Sequence, residues 1–249
     1  SGISTCSGDV EKMMRITYLS HSGFLVEVET AYFLFDFYKG ELPKPDAGKK
    51  FYVFISHAHF DHYKSDIFEL REKIPGVHFI VSDDIEAEAG RDIVFMAPNE
   101  EKSIDGCKIR TLRSTDEGVA FLLRYEGHTI YHAGDLNWWH WEEEGEAYNT
   151  MMRRNYQREI NKLQGMKIDV AFVPVDPRLG EQYCWGIDCF MKRTETKEVF
   201  PMHFWDNYGI FDRLLLEDCT KGYADKIQRI SREGQVFELE NGGTVNNAG

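Results

Sequence analysis

The sequence predicts an α/β fold, in which buried β-strands alternate with amphipathic helices. Its strongest strand signal is the run at residues 51–55, where every residue is aromatic or β-branched. A run this short that is apolar at every position is typical of a strand covered on both faces. Helical spacing and further apolar runs alternate along the chain, and 249 residues are enough for a single domain of this class.

The first third of the chain predicts four strands, one helix and a further strand. Alternating apolar residues at 15–28 predict two short strands around a turn, and residues 31–37 predict a third strand. After the strand at 51–55, helical spacing over residues 67–74 ends at a Pro-Gly pair. Residues 77–81 then return to a buried strand.

The second half of the chain begins with hairpins, because the pairs Asp105-Gly106 and Glu126-Gly127 each separate two apolar runs. Further elements follow from periodicity. Helices are expected over residues 142–163 (one helix or a helix pair), 188–196 and 211–230, and strands over 170–175, 197–203 and 236–239. The first of these helices is expected to bury a stripe formed by Met151, Tyr156, Ile160 and Leu163.

Four metal-binding side chains follow the strand at residues 51–55 directly, namely His57, His59, Asp61 and His62. They come just after the carboxyl end of a buried strand, where α/β sheets place their ligand sites. A single aspartate there can cap a helix, but four such groups against a buried strand are costly without a common partner. Imidazole and carboxylate together suit a divalent metal ion. The sequence therefore predicts a metal site.

Two residues repeat this placement further along the chain. Asp135 follows a predicted strand and a glycine, and His203 ends another apolar strand. Alone, they are typical of a turn aspartate and a core histidine. Beside the first cluster, we interpret both as metal ligands. His21 lies in the first predicted turn, where a local turn role is favoured and a contact with substrate is the alternative.

The hexapeptide at residues 57–62, His-Ala-His-Phe-Asp-His, resembles the H-x-H-x-D-H signature of the metallo-β-lactamase superfamily. Residues 16–24 and 131–135 are similar to the same superfamily. Within it, the chain most resembles the small stand-alone hydrolases related to ascorbate-6-phosphate lactonase. The resemblance extends from about residue 15 to about residue 240.

This resemblance implies an α/β four-layer αβ/βα sandwich, with two mixed sheets covered by helices. It implies one domain over residues 14–240. Residues 1–13 are expected to be a leader that is disordered or left over from cloning, and residues 241–249 a flexible tail.

The resemblance also implies how the ligands divide between two metals. One metal takes His57, His59 and a third histidine; the other takes Asp61, His62 and His203, with Asp135 bridging. The third histidine is absent, because residues 113–118 contain none. Either Asp116 replaces it as an oxygen ligand, or the first subsite is weak or empty and one metal remains. We expect one or two zinc ions, with manganese or iron as alternatives.

The predicted function is that of a metal-dependent hydrolase using a metal-bound hydroxide on a small ester, lactone or phosphorylated metabolite. Asp61 or Asp135 would orient the water, and Asp36 and Thr115 are expected to hold the ligand histidines. Tyr183, Trp185 and, as the alternative to its turn role, His21 are candidate substrate contacts. For the tryptophan cluster at residues 138–141 packing is favoured, and a wall of the substrate cleft is the competing interpretation. A mononuclear non-haem iron redox enzyme and a catalytically silent metal- or ligand-binding protein are the alternatives.

The amino-acid composition restricts the classes of partner that the protein can have. Lys and Arg number 29 against 42 Asp and Glu, a net charge of −13, which argues against nucleic acid as a partner. Five cysteines without a C-x-x-C pair favour reduced thiols and a cytoplasmic location. No apolar run has the length of a membrane span. We expect a small-molecule substrate and allow for a homo-oligomer.

Overall fold

The structure is a computed structural model that describes residues 13–240 and 245–248. One sheet has eight strands. In chain order these are β1 (Met14–Ser20), β2 (Gly23–Glu27), β3 (Ala31–Phe35), β4 (Lys50–Ile55), β5 (His78–Ser82), β6 (Ile93–Met96), β13 (Val236–Leu239) and β14 (Val245–Ala248). They lie side by side in the order β14-β13-β1-β2-β3-β4-β5-β6. The strands from β3 to β6 are parallel and the other neighbours are antiparallel, so the sheet is mixed.

The other sheet has six strands. They are β7 (Glu101–Ile104), β8 (Cys107–Arg113), β9 (Val119–Tyr125), β10 (His128–His132), β11 (Lys167–Pro174) and β12 (Glu195–Met202). Their order is β12-β11-β10-β9-β8-β7, with the hairpins antiparallel and β10, β11 and β12 parallel. The two predicted turns are present, and Asp105 and Glu126 adopt the positive φ that such two-residue turns require.

The helices cover the outer faces of the two sheets. They are α1 (Leu70–Lys73), α2 (Glu146–Asn161), α3 (Trp185–Arg193) and α4 (Ile210–Leu216), with short 3-10 helices at Ser65–Glu69, Pro177–Gln182, Asp218–Thr220 and Ala224–Lys226. Buried residues around α1 pack on one face of the first sheet, whereas those of α2, α3 and α4 join the core that both sheets share. The predicted four-layer αβ/βα sandwich is confirmed.

Strand β4 is buried on both faces, as its apolar run predicts. Phe51, Val53 and Ile55 face the α1 side. Tyr52 and Phe54 face the other sheet, where the ring of Phe54 lies 5.2 Å from that of Phe121 on β9. Burial on both faces fixes the strand, so the residues that follow it begin from a rigid position.

Two helix predictions need correction. In α2 the buried methionine is Met152, not Met151, because Met152, Tyr156 and Ile160 are four residues apart and share one face. The predicted helix over 211–230 is also shorter, since α4 ends at Leu216. There the Thr220 hydroxyl donates to the Leu214 carbonyl, which satisfies the helix end, and the chain continues in 3-10 turns.

Several predictions concern the ends of the chain. The expected leader lies outside the described residues except for Met13. Within the expected tail, Val245–Ala248 pair antiparallel with β13, and residues 241–244 and 249 lie outside the described part. Among the helices of residues 13–240 and 245–248, none has the length and hydrophobicity that crossing a membrane requires.

Gly118 lies next to the predicted site, where the start of β9 in one sheet contacts the end of β4 in the other. It has φ +78°, and a Cβ at this position would lie 1.9 Å from the carbonyl oxygen of Ser56. The following residue, Val119, donates its backbone N–H to that same oxygen at 2.9 Å. The two sheets can approach this closely at the end of β4 only because residue 118 has no side chain.

We therefore expect Gly118→Ala to lower the free energy of unfolding by more than about 3 kcal/mol, because the clash with β4 adds to backbone strain. Gly76→Ala is the matched control, since Gly76 also has φ +78° but has no atom within 4 Å of an added Cβ. It should cost only about 1 kcal/mol. Urea unfolding followed by circular dichroism measures both, and equal losses would contradict the assigned contact.

Candidate metal centre

The ends of several strands place the candidate ligands at one edge of the sandwich. The chain leaves β4 at Ile55 and turns at residues 59–62, where the backbone N–H of His62 donates to the His59 carbonyl at 3.0 Å. Asp135 follows β10, and His203 follows β12 directly. His21 lies in the turn between β1 and β2. Residues far apart in sequence are therefore brought together, as the sequence predicts.

The carboxylate of Asp135 lies at the centre of the cluster. Its Oδ2 is 3.0 Å from Nε2 of His57, whereas its Oδ1 is 3.0 Å from Nε2 of His62 and 3.2 Å from Nε2 of His203. The two oxygens thus face two different sets of imidazoles. In this arrangement the carboxylate could contact a separate cation through each of its oxygens.

The same atoms lack ordinary hydrogen bonds. Asp135 Oδ1 and Nε2 of His21, His57, His62 and His203 are buried, and none has a hydrogen-bond partner among the described residues. Unpartnered buried polar atoms are costly, and here they all point to one region. Ligands about 2 Å from a shared cation lie roughly 3 Å from one another. The spacing and the chemistry of the donors therefore fit a divalent metal ion.

The more buried subsite contains Asp61, His62, His203 and also His21. Their donor atoms all lie within 4.8 Å of one another. Nε2 of His21 is 3.0 Å from Oδ2 of Asp61, and its ring centroid is 4.2 Å from that of His203. His21 does occupy the predicted turn, but its side chain belongs to the ligand cluster. The turn role favoured from the sequence therefore describes only its backbone.

The second group of ligands is more open and lacks a third histidine. Nδ1 of His59 is 4.0 Å from Oδ2 of Asp135 and 3.9 Å from Oδ2 of Asp116. Asp116 is thus close enough to His59 and Asp135 for all three to contact one cation. Nε2 of His59 lies 3.0 Å from a carboxylate oxygen of Glu117, which the sequence reasoning did not consider. The side chain of His59 is 40% exposed.

Carboxylate partners outside the ligand cluster fix the orientation of two ligand histidines. Asp36 contacts Nδ1 of His62 at 2.7 Å, as predicted for that residue. Asp176, which sequence reasoning missed, contacts Nδ1 of His203 at 2.8 Å. With Nδ1 donating to a carboxylate, Nε2 of each ring is the nitrogen that would give its lone pair to a cation at the centre, in place of a proton. Asp176 follows β11 closely, so its place after a strand was the available signal.

Ser56 and Thr115 have different roles near the site. The Ser56 hydroxyl lies 2.8 Å from Nδ1 of His57 and donates to Asp36 at 2.6 Å, which links two of the histidines. Thr115 was expected to hold a histidine, and this prediction is wrong. Its hydroxyl instead bonds the backbone of Asn137, and so it fixes the loop after Asp135.

The charges of the cluster shift its pKa values strongly. Burial alone would lower the pKa of His203, but the charge of Asp135 outweighs it and raises that pKa to about 9. The same balance raises the pKa of His62. Burial would raise the pKa of Asp135 and of Asp61, yet neighbouring imidazoles hold both well below their usual range. Burial lowers the pKa of His21 to about 4, so this imidazole is neutral near pH 7.

A cleft of about 420 Å³ opens above the ligands. The aromatic residues that line it are Phe60, Trp139, Trp141, Tyr148 and Trp205, and Arg178 lies among them. Trp139 donates its indole N–H to the carbonyl of Asp135 at 2.8 Å, so this wall is tied to the ligand loop. Part of the predicted tryptophan cluster therefore lines the cleft.

Two predicted substrate contacts lie elsewhere. Tyr183 is buried in the core, where its hydroxyl donates to Glu217 at 2.8 Å, so it does not reach the cleft. Trp185 packs edge to face against Trp138 at 5.2 Å and lines a surface pocket beside α2. Both predictions are wrong, because Tyr183 follows the 3-10 helix at Pro177–Gln182 and is buried, whereas Trp185 begins α3, which packs on the outer face of the second sheet. Arg178 and Trp205 occupy the cleft instead, without a sequence signal that singled them out.

Comparisons with known proteins find a matching family, similar relatives and solved structures of the same fold. The family described as the beta-lactamase superfamily domain matches residues 15–151. A protein named as a metal-dependent hydrolase from Pyrococcus abyssi is 26% identical over 213 residues, in an alignment that covers 77% of this chain and 85% of that protein.

Two solved structures share the fold. Igni18 of Ignicoccus hospitalis, described as a novel metallo hydrolase, has a TM-score of 0.63 at 18% identity, covering 92% of this chain and 99% of its own. CmlA of Streptomyces venezuelae, described as a diiron β-hydroxylase, has a TM-score of 0.56 at 12% identity, covering 92% of this chain and 54% of its own. At these identities the similarity supports the fold alone.

We expect Asp135→Ala to lose most of its bound metal, because both sets of donors lose their common carboxylate. Asp169→Ala is the control. Asp169 lies near the start of β11, whereas the ligand cluster lies beyond the end of that strand, so this variant should retain the wild-type metal content. Elemental analysis after dialysis against metal-free buffer measures both. Wild-type metal content in Asp135→Ala would show that the central ligand is misassigned.

Proposed function

The chain belongs to the metallo-β-lactamase superfamily, and from this membership and its ligand cluster we propose that it is a metal-dependent hydrolase. The observation that supports this most directly is the set of buried, unpartnered donor atoms facing the two oxygens of Asp135. The curated relative from Pyrococcus abyssi, named as a metal-dependent hydrolase, supports the same reaction class.

In this proposal the residues divide between two cation subsites that share Asp135. Asp61, His62 and His203, joined by His21, would hold one cation, and His57, His59 and Asp116 would hold the other. We propose zinc, because imidazole and carboxylate are common zinc ligands. When bound, zinc acidifies a water molecule and polarises an oxygen of the substrate.

The protein's own groups would prepare the reaction in three ways. Asp61 and Asp135 are ionised at neutral pH, so their oxygens can accept a hydrogen bond from the attacking water and orient it. Asp36 and Asp176 keep the histidine rings in one tautomer. Trp139 and Trp141 line the cleft and would offer an apolar surface to the substrate.

The size of the cleft supports a small substrate. A volume of about 420 Å³ falls in the lower part of the range, roughly 300–1,000 Å³, of small-molecule sites. We propose a small ester, lactone or phosphorylated metabolite. A panel of esters, lactones, thioesters and phosphodiesters, assayed with zinc-loaded and chelator-treated protein, tests this reaction class. Turnover that is lost with the chelator and restored by zinc is expected, and chelator-resistant turnover would contradict it.

Redox chemistry at iron is a second candidate, supported by the acidic side chains near the more open ligands. Asp116 and Glu117 lie beside His59, where the superfamily pattern has a histidine, and oxygen ligands favour harder cations than zinc. The similarity to CmlA supports only the fold. Elemental analysis of protein purified without chelator separates the candidates: zinc or manganese favours hydrolysis, iron favours redox chemistry, and no metal favours a silent protein.

A cytoplasmic location remains part of the proposal and rests on the cysteine content, since Cys107, Cys184, Cys189 and Cys219 are unpaired. A homo-oligomer remains open to measurement of the mass in solution.

We expect His59→Ala to lower kcat/KM at least about a hundredfold on any substrate the panel identifies, because the more open subsite loses a ligand. His78→Ala is the control, since His78 contacts Asp105 away from the cleft. It should retain wild-type kinetics. Unchanged turnover in His59→Ala would contradict the use of the more open subsite, and the metal content of the variant shows whether the buried subsite is still filled.

A further inference from the structure

Arg178 occupies a fixed position at the cleft. Its Nε and one terminal nitrogen donate to the Asp176 carboxylate at 2.7–3.1 Å, in a bidentate pair. Its guanidinium also lies 4.7 Å from the ring centroid of Trp205 and 5.5 Å from that of Trp141. Ion pairing on one edge and aromatic rings nearby leave the guanidinium little freedom to move.

The outer edge of this guanidinium remains available to a ligand. Arginine has five N–H groups, of which the side-chain contacts to Asp176 use two. No other described residue within 13–240 accepts a hydrogen bond from the Arg178 side chain. The side chain is 49% exposed although Asp176 is fully buried.

Asp176 has other donors that satisfy it. His203 contacts it through Nδ1, and the indole N–H of Trp205 donates to it at 3.1 Å. The buried carboxylate therefore has partners besides Arg178. The guanidinium of Arg178 is therefore not needed only to neutralise Asp176. Its half-exposed position beside the partner of His203 is better explained by a contact with the substrate.

The rest of the cleft makes Arg178 the place where a negative charge can bind. Among the described residues lining the cleft, it is the only lysine or arginine, whereas Asp61, Asp116 and Asp135 supply negative charge. In the metal-loaded protein these carboxylates would compensate the charge of the cations, so the guanidinium is the side chain of the cleft that can attract an anionic group of a ligand. Aromatic side chains surround the same space, and Phe60 at the cleft is 74% exposed.

We propose that Arg178 is the anion subsite of the cleft, and that the substrate bears a carboxylate or phosphate group attached to a flat apolar group. The apolar group would contact Trp141 and Trp205, and the anionic group would accept hydrogen bonds from the free edge of Arg178. The anion subsite rests on the proposed hydrolase function only where hydrolysis is measured, in the second test below; the first test measures binding alone.

The first test measures binding without turnover. Tryptophan fluorescence reports the binding of 3-phenylpropionate and its neutral amide, 3-phenylpropionamide, to zinc-loaded protein, because Trp141 and Trp205 flank Arg178. A charge-assisted hydrogen-bond pair should make the acid bind about 10- to 100-fold more tightly than the amide. In Arg178→Gln this ratio should fall to within about twofold of unity.

Two variants keep this test decisive. Arg158→Gln removes an exposed arginine of α2 that contacts Asn155, and it should keep the wild-type ratio. Arg178→Lys retains the charge but not the planar fork, so an intermediate ratio is expected even if Arg178→Gln folds poorly. A wild-type ratio in Arg178→Gln, with its metal content unchanged, would place the acid on the metal or elsewhere and overturn the proposal.

The second test separates this inference from the proposed function. Zinc-loaded protein is assayed on 4-acetoxybenzoate and 4-acetoxybenzamide, which differ only in the charged group. A preference for the acid that resides in KM and disappears in Arg178→Gln supports both ideas. Equal hydrolysis of both esters would overturn the anion subsite and keep the hydrolase. No hydrolysis, with Arg178-dependent binding in the first test, would support the subsite and contradict the proposed ester chemistry.

Discussion

The main constraint on the structure is that ionisable side chains are packed around the buried carboxylate of Asp135. Nε2 of His57, His62 and His203 lies 3.0–3.2 Å from its two oxygens. Such a cluster is costly in a protein interior unless each group has a partner. Hydrogen bonds to Asp36 and Asp176 supply partners on the outer side of the rings, and a shared cation would supply them on the inner side. The surrounding fold is arranged to hold these rings.

The backbone around the cluster is strained in a way that fits this demand. His21, Asp36, His203 and Trp205 all have positive φ although none is glycine. Such conformations persist only where the surrounding structure fixes them, and they occur often at functional sites. Here the strands β1, β3 and β12 end at or beside these residues, so rigid elements hold the strained positions. Gly118 contributes on the other side by letting β9 approach the end of β4.

The sequence predicted most of the fold because its signals were local. The run at 51–55 and the turn pairs at 105–106 and 126–127 each identify an element without knowledge of the rest. The cluster at 57–62 identified the site, and Asp135 and His203 were confirmed as its neighbours in space. The metal-binding role of these residues stays a prediction.

The misplaced residues depended on information that a sequence does not contain. Met151 and Met152 lie on different faces of α2, and the packing of the helix against the sheet decides which of the two is buried. Tyr183 and Trp185 are aromatic like the residues that line the cleft, but Tyr183 is buried in the core and Trp185 packs against Trp138 at the start of α3. Arg178 and Asp176 are two residues apart in sequence and form an ion pair, but the surrounding sequence does not indicate that the pair lies beside His203.

Anomalous diffraction from crystals grown with zinc tests the central claim most directly: a peak between Asp61, His62, His203 and Asp135 is expected, with a second peak between Asp135 and His59. Full zinc loading with no peak beside Asp135 would contradict the account.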